Sequence, residues 1–278
     1  MIDKNDYKKL IETALEEDFS EEGDVTSQII FEKNDVSTFR LLSKDEGILC
    51  GKDVFKEVFS IIDEQCEVEF YFNDGDKLKK GDVVARVKGS TISILKGERT
   101  ALNLISHLSG ISSRTNNYVE MLKGNISILD TRKTLPGLRK LQKYAVKCGG
   151  GKNHRMGLFD MVLIKDNHID ACGSITKAVE KIRSVHGNKY KIEVETRNLD
   201  EVREATGLKV DRIMLDNMDH DMMKKACEMI GENIETEASG NMTPEKAFMF
   251  SDTGVDFISI GELTHSVKAF DFSLKKEK

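Results

Sequence analysis

The stretch CGGGKNHRMG (148–157) places a lysine, a histidine and an arginine directly behind three consecutive glycines. Glycine lets a ligand or another backbone approach the main chain closely, and a guanidinium grips a carboxylate through a two-pronged fork. Together they suit an anion that carries more than one acidic group. The string is not the G-x-x-x-x-G-K-S/T phosphate loop, because Asn153 follows the lysine. A glycine triplet alone is also a flexible turn, so its neighbours must decide. From Arg132 to Lys165 the chain carries nine Lys or Arg against one acid, Asp160, although the whole protein has a net charge of −6. A solvated helix face accounts for Arg139, Lys140, Lys143 and Lys147. It does not account for Arg132, Lys133, Arg155 or Lys165, which lie beside apolar runs.

The elements that would position these residues follow from a repeat. Short apolar runs recur as ISILD (126–130), MVLIK (161–165), KIEVE (191–195), RIMLD (212–216), ETEAS (235–239) and FISIG (257–261). Between them lie helical stretches such as SITKAVEKIRSVHG, NLDEVREATG and TPEKAFMFSDTG, opened by Ser, Asn or Thr and closed near Gly. Strand and helix alternating at this spacing predict βα units and a parallel sheet. About six units make an α/β barrel short of the usual eight, in which chemistry gathers at the C-terminal strand ends. A doubly wound open sheet is the other candidate, but no G-x-G-x-x-G follows the first strand. Arg132, Lys133, Lys165, Glu195, Asp216, Ser239 and Gly261 all fall at or just past such ends. A charge at the end of a buried strand is costly without a partner or ligand. So many converging charges predict an anion-receiving mouth.

The first hundred residues read differently. DYKKLIETALEEDF predicts an amphipathic helix with Tyr7, Leu10, Ile11, Ala14 and Leu15 on one stripe. STFRLLSK and CEVEFYF predict strands, and NDGDKLKKGDVVARVKG predicts a β-hairpin with Asp-Gly turns. That hairpin looks like those of lipoyl and biotinyl carriers, but its turns hold Asp74-Gly75 and Gly81-Asp82 where a carrier presents lysine. STISILKGERTALNLISHLSG predicts a long helix bridging two domains. Arg99 on this helix does not face Glu98, so it is available to a partner elsewhere.

A chain of 278 residues with 39% apolar and 32% charged residues is long enough for two domains and a sizeable core. No run approaches the roughly 18 apolar residues of a membrane span. Five cysteines without a C-x-x-C pair suit reduced thiols in a cytoplasm. Two prolines, no tryptophan and no aromatic interleaving in the basic segment argue against nucleic acid. Glu195 and Asp216, with no soft ligands near them, suit a hard ion such as Mg²⁺. Equally, they suit structural carboxylates bonded to barrel lysines. His107, His168, His186 and His220 read as structural or surface histidines. A non-catalytic anion carrier would have no use for the two acids.

ILDTRKTLPGLRKLQKYAVKCGGGKNHRMGLFDMVLIKDNHI resembles the quinolinate phosphoribosyltransferases, also called nicotinate-nucleotide pyrophosphorylases (carboxylating). GERTALNLISHLSGIS, VETRN, LDN, EASGN and ISIGELTHS match the family in the same order, so the likeness spans nearly the whole chain. It implies an N-terminal α/β sandwich (1–108, joined by the tail 268–278) and an incomplete barrel of six or seven strands (109–267). It implies phosphoribosyl transfer from phosphoribosyl pyrophosphate to quinolinate with decarboxylation, Mg²⁺, and a homodimer or hexamer with shared sites. A paralogue acting on another acceptor is the nearest alternative. By the resemblance, Arg132, His154, Arg155 and Lys165 hold the two carboxylates, joined by Arg99 from the neighbouring subunit. Lys133, Thr134, Glu195 and Asp216 face ribose, pyrophosphate and Mg²⁺, with Lys133, Lys165, Glu195 and Asp216 as the catalytic set. Ser239, Gly240, Asn241, Ile260, Gly261 and Glu262 take the 5′-phosphate, with His265 nearby. Two positions depart from the common pattern: Asn241 where glycine is frequent and Glu262 where alanine is frequent. A carboxylate beside phosphate is repelled, so Glu262 is expected to point away and offer only its backbone N–H.

Overall fold

The computed structural model describes residues 2–123 and 126–278. The chain divides into two compact units, one of 1–116, 135–150 and 266–278, the other of 117–134 and 151–265. The helix Arg139–Cys148, read within the barrel segment, belongs to the first unit.

In the first unit the expected amphipathic helix forms as Lys8–Phe19 and buries Ile11 and Leu15. Its strands are β1 (Val36–Ser43), β2 (Gly47–Ile48), β3 (Glu67–Phe70), β4 (Lys77–Leu78) and β5 (Val83–Ser90). β1 alternates buried and more exposed residues, the pattern of a sheet with one face on a core. The C-terminal strand Phe272–Lys276, β1, β5 and β3 form an antiparallel sheet in that order. The predicted hairpin does not form. β4 pairs with β2, because both edges of β5 are already taken by β1 and β3. The turn before β5 instead ties back through the Gly81 N–H to the Ser43 carbonyl. A single helix runs from Thr91 to Met121, where the bridging helix was expected.

The second unit is a six-stranded parallel sheet: β6 (Ser127–Leu129), β7 (Val162–Ile164), β8 (Ile192–Thr196), β9 (Arg212–Asp216), β10 (Glu235–Ser239) and β11 (Phe257–Ser259). Their order is β6-β11-β10-β9-β8-β7. Consecutive strands lie side by side except β6 and β7, so the barrel has one seam. Backbone bonds from Lys152 to Ile128 and from Asp130 to Lys152 run along β6 at that seam. Ser174, Asn198, Asp219 and Thr243 cap the helices after their strands by accepting from N2 or N3 N–H groups. With β8 wholly buried and β9 and β10 buried except at their ends, their C-terminal residues are brought to one mouth.

Lys143 departs from the solvated-face reading. It is fully buried beside Leu141, Gln142, Ala145 and Val146, whereas Lys140 is exposed and pairs with Asp6. Four positive charges at helical spacing do not show which of them turns inward.

Candidate active site

A cleft of about 360 Å³ opens at the strand ends of the second unit. It is lined by Arg132, Lys133, His154, Arg155, Lys165, Glu195, Asp216, Ser239, Gly240 and Asn241, all expected from the sequence. Thr131, Leu163, Met214, Asn217, Glu237 and Ser259 complete it and were not foreseen.

The segment after the glycine triplet is aimed by Asp130 and Asp160. Asp130, wholly buried after β6, accepts from the Asn153 side chain at 2.5 Å and from the His154 N–H at 2.9 Å. Asp160 receives the Met156 and Gly157 N–H groups at 2.6 and 3.0 Å. The Arg155 guanidinium donates to the Met161 carbonyl at 3.1 Å. Burial, and after it the positive charge of Arg132, pull the Arg155 pKa below the usual arginine value. A second negative charge is therefore favoured between these cations.

Lys165 directly follows β7 and meets Glu195 on the adjacent strand at 2.5 Å. Of the two readings left open for the acids, the lysine-bonded one holds for Glu195. Asp216, one strand further, accepts from the Asn217 amide at 2.7 Å. Among the described residues, two groups of three His, Cys, Asp or Glu could hold a metal: Cys50/Asp74/Cys148 and His154/Glu193/Glu237. Glu195 and Asp216 belong to neither. Two oxygen donors at the mouth of a cleft suit a Mg²⁺ ion that keeps its waters and arrives with phosphates, not an all-protein cage.

The loop after β10 is shaped by conformation. Gly240 has φ +102°, and Asn241 follows at +44°. Asparagine tolerates the left-handed region better than most residues, which explains how it replaces glycine at 241. Lys246, a cation missed in the sequence, donates to the Gly240 carbonyl at 2.7 Å. At Gly261 the side chains of Lys133 and His265 close in, and a Cβ there would lie 2.9 Å from Lys133 Cδ.

Six expected residues do not line the cleft. Gly261 and His265 adjoin Lys133 at its side. Ile260 is a correction: its side chain is core and its N–H bonds the Leu129 carbonyl. The Glu262 carboxylate accepts from Tyr118 Oη at 2.7 Å, which accounts for its direction. Thr134 is half-buried after β6. Arg99 lies in the first unit, beside Glu17, Asp18 and Asn103.

Below the mouth lies a cluster the sequence reading passed over. Glu193 and Glu237 are fully buried; Arg212 between them bonds Glu235 and Glu237 and stacks 4.2 Å from the Phe257 ring. Burial pushes both carboxyls up, Glu193 to about 7 and Glu237, also repelled by Glu193, to about 8. The signal was available. Glu193 and Glu195 sit two apart on a buried strand and so share a face, as do Glu235 and Glu237.

The fold and site define an α/β-barrel enzyme whose cleft has a cationic side, an acidic middle and a small-residue turn, fit to bring together two anionic substrates. The C-terminal domain model of the quinolinate phosphoribosyltransferases matches residues 111–275, and the N-terminal domain model matches 24–109. The chain belongs to that family. A probable nicotinate-nucleotide pyrophosphorylase (carboxylating) of Bacillus subtilis is 46% identical over 268 residues, covering 96% of this chain and 92% of its own. The crystal structure of NadC from Streptococcus pyogenes superposes with a TM-score of 0.95 at 39% identity, over 100% of this chain and 99% of that one. The nicotinate-nucleotide pyrophosphorylase of Francisella tularensis gives 0.94 at 39% identity, over 100% and 98%.

Proposed function

We propose that the chain transfers the phosphoribosyl group of phosphoribosyl pyrophosphate to quinolinate and decarboxylates the product, giving nicotinate mononucleotide, pyrophosphate and carbon dioxide for NAD synthesis. The observation that carries this reading is the cleft itself, which Arg132, Arg155 and Lys165 line together with Glu195 and Asp216, within a chain that matches the family over nearly its whole length. Arginine forks suit the two carboxylates of the acid, and Lys165 exchanges Glu195 for a substrate carboxylate when the acid binds. The pyridine nitrogen attacks the anomeric carbon as the C–O bond to pyrophosphate breaks. Glu195 and Asp216 stabilise positive charge on the ribose, and Lys133 neutralises the leaving group. With the nitrogen quaternised, the bond to the 2-carboxylate breaks, its electron pair stays on the ring carbon, and a proton replaces carbon dioxide. Glu195 and Asp216 would hold Mg²⁺, directly or through water, and the ion would add charge neutralisation at the pyrophosphate. Ser239, Gly240 and Asn241 cradle the 5′-phosphate.

The assembly rests on the resemblance, and the location on the cysteine pattern. The enzyme works as a homodimer or a larger assembly, Arg99 completing the acid site of a neighbouring subunit. It works in the cytoplasm, and no helix among the described residues is long and apolar enough to cross a membrane. The test is direct: purified protein with quinolinate, phosphoribosyl pyrophosphate and Mg²⁺ should release carbon dioxide and nicotinate mononucleotide in equal amounts. Formation of neither would refute the reading.

A further inference from the structure

Cys148, the residue in front of the glycine triplet, has a second thiol beside it. Its Sγ, the Sγ of Cys50 and one carboxylate oxygen of Asp74 all lie within 4.8 Å of one another. Cys148 ends the helix Arg139–Cys148 and is half-buried, whereas Cys50 is wholly buried. Their surroundings are fixed. The Cys50 N–H donates to Ser109 Oγ at 3.0 Å. Asp74 accepts from the Gly51 and Lys52 N–H groups at 3.0 and 3.1 Å and from Tyr144 Oη at 2.9 Å. A Cβ on Gly149 would lie 2.4 Å from the Ser112 carbonyl oxygen, so the chain just past Cys148 rests directly on the long helix Thr91–Met121. The two thiols are unequal. A hydrogen bond from Cys50 draws the Cys148 thiol below its ordinary pKa, and burial holds Cys50 well above its own. Burial also pushes Cys66 and Cys227 up to about 11. Because the thiolate is the reactive form, Cys148 is the cysteine set apart for attack.

We infer that Cys148 and Cys50 form an oxidation site, a hydroperoxide-reactive thiol beside its resolving partner, which closes to a disulfide and thereby displaces the segment that carries Arg155. The Cys148 thiolate attacks one oxygen of the peroxide and the O–O bond breaks. A sulfenic acid forms, and the other oxygen leaves as hydroxide and takes a proton from solvent. The Cys50 sulfur then attacks the Cys148 sulfur, the S–O bond breaks, and the Cys50 proton goes to the departing hydroxide. Asp74, in the same triangle, is placed to relay it. Each sulfur gives up one electron, one peroxide is reduced, and two waters leave. A metal cage fits less well, because both Asp74 oxygens already accept hydrogen bonds and a structural zinc site needs four ligands. Closing the sulfurs draws the helix end toward Cys50, and Gly149, pressed on Ser112, cannot absorb the shift. Gly150 and Gly151 pass it along the chain to His154 and Arg155. The effect on catalysis rests on the assignment of Arg155 to the acid site; the bond itself does not.

The test treats fully reduced protein with rising hydrogen peroxide, blocks the remaining thiols with N-ethylmaleimide and digests under non-reducing conditions for mass spectrometry. The expected product is a Cys50–Cys148 cross-linked peptide, formed before Cys66, Cys172 or Cys227 reacts and opened by dithiothreitol. Cys50→Ser should stop at a Cys148 sulfenic acid that dimedone traps, and Cys148→Ser should leave Cys50 reduced. Oxidised wild type should show a quinolinate KM raised on the order of tenfold, since a misplacement of about 1 Å can cost a hundredfold. Dithiothreitol should reverse this rise, and the KM for phosphoribosyl pyrophosphate should not move. Earlier reaction of another cysteine, a sulfenic acid that persists in the wild type, or zinc held by the two thiols in the purified protein would overturn the site. A disulfide that leaves the quinolinate KM unchanged would overturn the coupling to Arg155. If the reduced protein does not turn over quinolinate at all, the proposed reaction fails, and the cross-link still decides the site.

Discussion

Replacing Gly240 by alanine should disable the phosphoribosyl pyrophosphate side of the cleft while leaving the acid side intact. Its φ of +102° costs any other residue about 1–3 kcal/mol. The added Cβ would lie 2.2 Å from Asn217 Oδ1 and 3.0 Å from the Asn217 backbone nitrogen. Making room adds a further ~1–3 kcal/mol of overpacking. Relief must come from Asn217, whose amide holds Asp216 at 2.7 Å and whose N–H bonds the Ser239 carbonyl at 3.0 Å. Two other glycines calibrate the terms. Gly81 has φ +97° with no heavy atom within 4 Å of a Cβ, so alanine there meets strain alone. Gly207 has neither problem, and alanine there should gain about 0.4–1 kcal/mol. Thermal unfolding should rank the variants Gly207→Ala, Gly81→Ala, Gly240→Ala from most to least stable. With about 2–4 °C per kcal/mol in a domain of this size, the steps are readily measured. In steady-state kinetics the KM for phosphoribosyl pyrophosphate should rise about tenfold for each ~1.4 kcal/mol that falls on the loop, in Gly240→Ala alone. A Gly240→Ala enzyme that melts with Gly81→Ala and keeps the wild-type KM would refute the reasoning.

Arg155→Lys replaces a fork by a point charge and should raise the quinolinate KM far more than that for phosphoribosyl pyrophosphate; equal rises would place Arg155 outside the acid pocket. Glu237 is protonated more readily in the folded protein, to about 8, than its ordinary value of 4.5. The folded state therefore holds an extra proton in that window and loses stability as pH rises through it, by on the order of a few kcal/mol. Glu237→Gln has no proton to lose, so its melting temperature should fall less than wild type from pH 5 to 9; parallel profiles would contradict this. Arg99→Ala and Lys165→Ala should each be nearly inactive. Mixed equally with free exchange, they should recover roughly a quarter of wild-type activity, because about half the dimers are hybrids with one intact site. No recovery after verified exchange would mean that Arg99 does not act across the interface.

The parallel strands were legible because their apolar runs are short, regular and bounded, and the charges at their ends marked the mouth. ISILD, MVLIK, RIMLD, ETEAS and FISIG each contain an observed strand, and KIEVE covers all but the last residue of one. What failed depended on pairing and facing, which local pattern does not encode. Lys77 and Leu78 looked like half of a hairpin, but both edges of β5 are occupied by β1 and β3, neither of which is its neighbour in the chain. Lys143 looked solvated because its charge matched its neighbours, whereas its burial is set by what packs on that helix. Glu193 and Glu237 lie inside their strands and not at the ends, where the local pattern marks no site, although an acid inside a buried strand is the stronger anomaly.

The order in which the chain is made has a consequence for its first sheet. β1, with Phe39 and Leu41 buried in the finished protein, has as one neighbour the strand Phe272–Lys276, which lies beyond all of the second unit. At roughly 5–20 residues per second on a ribosome, that edge waits unpaired for tens of seconds after β5 has emerged. During this interval an apolar strand offers open hydrogen-bonding groups to any passing chain. A stop codon just after His265 would keep all six barrel strands and make that exposure permanent.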